Sequence, residues 1–151
     1  MLFNRRGGNI MENFGNENPA DKLVLIVDDD KGIRELLEII VKKEGFKTEL
    51  AEDGEEGLEK ARSLSPDIIL LDLMLPRSGG YEIARGLQNE GTAAIPIIII
   101  SARNMDRSTK EMITNEPNVR DFIEKPLKTH MLTARLHQLM KTRPAGKQSD
   151  K

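Results

Sequence analysis

The chain has 151 residues, 38% of them hydrophobic and 32% charged, with a formal charge of −2. That length fits one domain with a real core, and the charge balance gives no electrostatic reason to expect nucleic-acid or membrane binding. The absence of Cys excludes disulfides, thiolate metal sites and a Cys nucleophile.

The longest apolar run, Ile95 to Ile100 with Pro96 inside it, is far too short to span a bilayer. With no apolar signal segment at the amino terminus, a cytoplasmic location is the expectation. Residues 1–20, rich in Gly, Asn and Glu, show no periodicity and are expected to form a mobile tail. One folded domain over 21–142 and a polar tail over 143–151 complete the expected organisation. Arg5 to Ile10 can be encoded by a purine-rich run of the kind that precedes bacterial start codons, so Met11 is a second candidate start.

Leu23 to Val27 is an apolar run closed by Asp28, Asp29 and Asp30, which reads as a buried strand ending in carboxylates. Residues 31–44 carry Ile33, Leu36, Leu37, Ile40 and Val41 at the spacing of one buried helix face, with Asp30 as its cap and Gly45 as its stop. Residues 46–51 alternate as a half-buried strand. Asp53 and Glu56 have capping-box spacing and open a helix to about Leu64, with Leu58, Ala61 and Leu64 inward. Ile68 to Leu71 then form a second fully apolar strand ending at Asp72, followed by turn residues and a helix from Tyr81 to about Asn89. Ile95 to Ile100 is a third such strand, ending at Ser101. Asn104 to Ile113 is the weakest helix, with Met105, Met112 and Ile113 as its core positions. Val119 to Glu124 alternates and is closed by Lys125; Leu127 to Lys141 is the last helix, with Leu132, Leu136, Leu139 and Met140 inward.

Five strand–helix units imply an α/β fold with a parallel sheet and helices on both faces. The three continuously apolar strands belong in the centre and the two alternating ones at the edges, matching the doubly wound order 2-1-3-4-5. In that order the first and third strands are neighbours, so Asp28, Asp29 and Asp72 meet at one rim. Crowded carboxylates repel unless a cation joins them. All-oxygen ligands without His or Cys argue for Mg²⁺, with Mn²⁺ as substitute. The same rim receives Ser101 and Lys125. A metal, a hydroxyl and an ammonium around a carboxylate nucleophile suit phosphoryl transfer to Asp72.

Taken singly, Asp72 reads as a turn cap, Ser101 as a strand-end turn residue and Lys125 as a solvated lysine. Only their convergence promotes them. His130 and His137 lie seven apart on the last helix and read as part of a solvated face.

The segments Val24 to Asp30, Ala51 to Gly54, Pro66 to Pro76, Ile99 to Ala102 and Asp121 to Pro126 together resemble the receiver domains of bacterial two-component response regulators. The resemblance implies the flavodoxin-like (βα)5 fold. It implies that Asp72 takes a phosphoryl group from a histidine kinase or histidine phosphotransfer protein. Asp29 would ligate Mg²⁺ directly, Asp28 through water, and Met74 through its backbone carbonyl. Lys125 would contact the phosphoryl group, Ser101 would hydrogen-bond it, and Phe122 would swing inward, altering the surface of the fourth helix, fifth strand and fifth helix. Plain edge-strand packing is the other reading of Phe122.

Two departures stand out: Arg77-Ser78-Gly79 replaces the family's usual Met-Asp before Gly80, and Asn118 stands where Gly is usual, as the next best residue for a left-handed backbone. Asp121 and Arg135 match an ion pair of receivers that dimerise through this face, but Pro117 and Met131 occupy expected charged positions. A monomer, at most weakly dimeric after phosphorylation, is expected, with the downstream target unread. Met74 and Arg103, two past Asp72 and Ser101, are bulky enough to slow hydrolysis of the phosphoryl group. Competing readings are a haloacid-dehalogenase-type phosphatase with Asp28 as nucleophile, and an unphosphorylated binding module.

Overall fold

The computed structural model describes residues 15–73, 80–89, 91–101 and 105–144. Five parallel strands, β1 (Leu23–Val27), β2 (Lys47–Ala51), β3 (Ile68–Asp72), β4 (Ile97–Ser101) and β5 (Val119–Glu124), form one sheet in the order β2-β1-β3-β4-β5. The helices are α1 (Lys31–Lys43), α2 (Gly54–Leu64), α3 (Gly80–Gly86), α4 (Arg107–Thr114) and α5 (Thr129–Met140). The expected doubly wound fold and strand order are present.

Strand alternation divides the core in two. Leu25, Val27, Ile69, Leu71, Ile97 and Ile99 face one side and pack with Ala61 of α2, Ile83 and Ala84 of α3 and Ile113 of α4. Val24, Ile26, Ile68, Leu70, Ile98 and Ile100 face the other and pack with Leu37 and Val41 of α1 and Leu132, Leu136 and Met140 of α5. Continuous apolar sequence in β1, β3 and β4 is therefore required on both faces, whereas β2 and β5 are only partly buried.

Helix ends follow local chemistry. Asp30 caps α1 by accepting from the Ile33 amide at 3.1 Å, and Asp53 caps α2 by accepting from Glu56 at 2.9 Å. Glu56 reaches back to the amide of Glu52, one residue before the cap. Gly45, at φ +99°, leaves α1 through a backbone that side chains disfavour.

Several sequence expectations are corrected. Leu36 of α1, expected inward, is exposed, as is Ile39, and Arg34 joins Leu37 and Val41 on the buried stripe. Leu64 is exposed; α2 presents Gly54, Gly57 and Ala61 to the sheet, so closely that a Cβ on Gly57 would lie 3.0 Å from both Val27 methyls. Met112 is also exposed, leaving Ile113 as the buried anchor of α4, which starts at Arg107. Pro96 precedes β4, and α3 ends at Gly86. Asn118 does not take the left-handed backbone; it is buried because its side chain donates to the Ile95 carbonyl at 3.0 Å and accepts from Gln88.

His137 is buried rather than solvated. Its ring lies against Phe46, with Nδ1 2.7 Å from Thr142 Oγ1 and Nε2 2.9 Å from Glu44 Oε1. His130 is exposed. Seven residues along a helix do share a face, but the carboxyl end of α5 packs beside the end of α1, where Glu44 and Phe46 meet His137. Within the stretch read as a tail, Pro19–Asp21 forms a 3₁₀ turn and Glu17 bridges to Thr142. The Met11 start falls outside the described residues.

Candidate functional site

Strand register carries the acidic residues to one place. Val27 pairs with Leu71, so Asp28, one step beyond β1, stands level with Asp72 at the end of β3. Asp72 pairs with Ile100, and Ser101 pairs with Glu124, so Ser101 and Lys125 follow along the same rim. Ligand oxygens of Asp28, Asp29 and Asp72 lie within 4.8 Å of one another. Lys125 Nζ is 3.9 Å from Asp72 Oδ1. Ser101 is fully buried, and its carbonyl accepts from the Lys125 amide at 2.8 Å, which ties the ends of β4 and β5 together.

The burial is uneven. Asp28 and Asp72 are 1% and 5% exposed, whereas Asp29 faces solvent. Burial pushes the Asp28 carboxyl up to about 6, with the Asp72 charge adding to it; the Asp30 amide and Lys125 act in the opposite direction. Asp28 Oδ1 accepts from the Asp30 amide at 2.9 Å, while its Oδ2 is buried without a hydrogen-bond partner among the described residues. A buried carboxylate oxygen left over beside two further carboxylates fits a hard divalent cation: all donors are oxygen, and one is already out of water.

The turn bearing these acids is held from α1. Arg34 donates from Nη1 to the Asp28 carbonyl at 2.8 Å, and its amide donates to the Asp30 carbonyl at 2.9 Å. Arg34 is absent from the sequence reading. The available signal was its phase: residues 34, 37 and 41 lie on one stripe, a costly place for a cation without a partner.

Away from the acids, Phe122 on β5 is partly buried against the core, with Lys110 Nζ 4.9 Å above its ring. Both residues line an open groove of about 520 Å³ along α4, β5 and α5, which also includes Met131 and Lys128. Asp121 and Arg135 form an ion pair of 2.6 Å within the one chain. Met74, Arg77 to Gly79 and Arg103 lie outside the described residues. Thus the structure brings Asp28, Asp29, Asp72 and Lys125 together, sets Ser101 at the same rim, and places Phe122 one strand edge away. Among the described residues no helix is long and apolar enough to cross a membrane.

A family model described as the response regulator receiver domain matches residues 24–137. The DNA-binding response regulator MtrA of Mycolicibacterium paratuberculosis is 37% identical over 114 residues, covering 75% of this chain and 48% of that protein. The chain spans about half the length of the curated relatives it matches. Among solved structures, a putative response regulator from Chloroflexus aurantiacus superposes with a TM-score of 0.72 at 29% identity, covering 79% of this chain and 97% of the other. The receiver domain of a sensor histidine kinase from Pseudomonas aeruginosa, solved with a magnesium ion coordinated in its active-site cleft, gives a TM-score of 0.71 at 24% identity, with the same coverage of 79% and 97%.

Proposed function

The chain belongs to the response regulator receiver domain family, and from that premise we propose that Asp72 accepts a phosphoryl group from a phosphohistidine. The donor is a histidine kinase or a histidine phosphotransfer protein. The observation that carries this reading is the meeting of three carboxylates within 4.8 Å, one of their buried oxygens unpartnered, with a lysine ammonium at the same rim.

Each residue has a task. An oxygen of the Asp72 carboxylate attacks phosphorus; the P–N bond to the donor imidazole breaks, and an acyl phosphate forms on Asp72. Burial strips the nucleophile of much of its water, and the rim fixes its direction of approach. Lys125 neutralises phosphoryl oxygens, and the Ser101 hydroxyl donates to one of them. Asp28, Asp29 and Asp72 would hold Mg²⁺, with Mn²⁺ as substitute and Met74 supplying a backbone carbonyl. When bound, the cation offsets both the carboxylate repulsion and the charge on the phosphoryl group.

The output follows from the strand edge. As Ser101 turns to the phosphoryl group, Phe122 moves inward behind it, and the α4–β5–α5 surface changes for a protein partner. This is a shift of population driven by contacts made only in the phosphorylated form. Before phosphorylation the chain is a monomer, since Asp121 and Arg135 satisfy each other internally. MtrA is by name a DNA-binding regulator of about twice the matched length, so the charge balance against nucleic acid speaks only for these 151 residues.

Incubation with acetyl phosphate and Mg²⁺, followed by intact mass, tests the reading. One phosphoryl adduct, labile to hydroxylamine and lost in Asp72→Asn, is expected. An adduct that persists in Asp72→Asn contradicts it.

A further inference from the structure

Asp28 lies one residue past the end of β1, where its carbonyl has left the strand ladder. Its amide still donates to Ala51 at 3.1 Å, and Oδ1 accepts from Asp30. The carbonyl is taken by Arg34 Nη1 at 2.8 Å, in a contact that is itself buried. The same residue's amide makes the first helical bond of α1, to the Asp30 carbonyl, so the side chain holds the Asp28 end of the acidic turn while the helix backbone meets its Asp30 end, with Asp29 between them. Asp30 adds a local cap but touches only the start of the helix.

Three carboxylates drawn this close push one another apart. A turn free to relieve that repulsion would splay, and the ligand oxygens would lose their common centre. A guanidinium on the stripe of α1 that otherwise holds Leu37 and Val41 is costly to bury unless its donors and charge are used. Here a donor is used: it fixes the backbone beneath Asp28.

We infer that Arg34 is a positioning residue for the divalent-cation site, holding Asp28 and Asp29 in ligating geometry against their mutual repulsion through the Asp28 carbonyl. This rests on the reading of the site given above. It assigns Arg34 no contact with the phosphoryl group.

The test is Mn²⁺ binding to the full chain, followed by loss of the free-ion signal in electron paramagnetic resonance, with no phosphodonor present. Arg34→Met should weaken binding about 10- to 100-fold, the range for residues that orient metal ligands from behind. Arg34→Lys should recover part of the loss, because an ammonium can donate to the same carbonyl. Leu37→Ala, which removes a buried side chain one turn further along α1, should destabilise the fold yet leave the affinity unchanged, all measurements being made where circular dichroism shows each variant folded. Wild-type affinity in Arg34→Met overturns the inference alone. Equal losses in Arg34→Met and Leu37→Ala overturn it too, since helix stability would then be the cause. A wild-type chain that takes up no Mn²⁺ overturns the site reading, and this inference with it.

Discussion

Replacing Asp28 by Asn should stabilise the metal-free protein while weakening its hold on a divalent cation. The carboxyl is raised from its ordinary 3.8 to about 6, first by burial and then by the Asp72 charge. A folded-state pKa above the unfolded one means that ionising Asp28 opposes folding. The penalty is absent below about pH 4, grows through about pH 6 and is complete above it. At about 1.4 kcal/mol per pH unit between those values, it amounts to about 3 kcal/mol, an order-of-magnitude figure. The Asn amide oxygen can still accept from the Asp30 amide, and its NH₂ can donate toward Asp72, so the change removes a charge without opening a cavity. Urea unfolding in EDTA should give Asp28→Asn an advantage of about 3 kcal/mol near pH 8 that shrinks to nothing near pH 4. Saturating Mg²⁺ should stabilise the wild type and narrow the gap. A gap that is missing near pH 8, or that does not change with pH, refutes the assignment of strain to this carboxylate.

Other perturbations probe different parts of the fold. Gly57→Ala should destabilise by about 1–3 kcal/mol in thermal or urea unfolding, because the new methyl meets Val27 at 3.0 Å and neither α2 nor β1 can yield easily. His137→Ala should cost about 2–4 kcal/mol through lost packing on Phe46 and unpaired Glu44 and Thr142, with acetyl-phosphate labelling of Asp72 retained. Lys110→Gln removes a cation–π contact of about 0.5–1 kcal/mol from Phe122, so the ring should move inward more often in the unphosphorylated chain, visible as a shift of its aromatic NMR resonances toward their phosphorylated values.

The parts of this molecule that sequence discloses are those set by short range or by topology. Apolar runs stopped by carboxylates located β1 and β3, and the contrast between continuous and alternating strands fixed their neighbours, which was enough to bring Asp28, Asp29 and Asp72 together. Asp30 and Asp53 were legible as caps because a cap acts within three residues. What stayed hidden depends on how elements pack. The apolar positions of α1 spread over more than one face, so only its approach to the sheet decides that Leu37 and Val41 enter with Arg34 while Leu36 and Ile39 do not. Leu64 is the last residue of α2, and Met112 stands beside the buried Ile113 but on another face of α4. Asn118 has the right residue type for a left-handed turn, but two partners distant in sequence, the Gln88 side chain and the Ile95 carbonyl, give its amide another use. His137 is buried by Phe46, Glu44 and Thr142, a meeting that no periodicity in α5 reveals.

The most direct measurement traps the phosphoryl group where it lands. After incubation with a phosphohistidine donor or acetyl phosphate, borohydride reduces an aspartyl phosphate to homoserine, which tandem mass spectrometry locates by residue. Homoserine at position 72 alone is the expected result. Homoserine at position 28 or 29, or none from a chain that binds Mg²⁺, would contradict Asp72 as the phosphoryl acceptor.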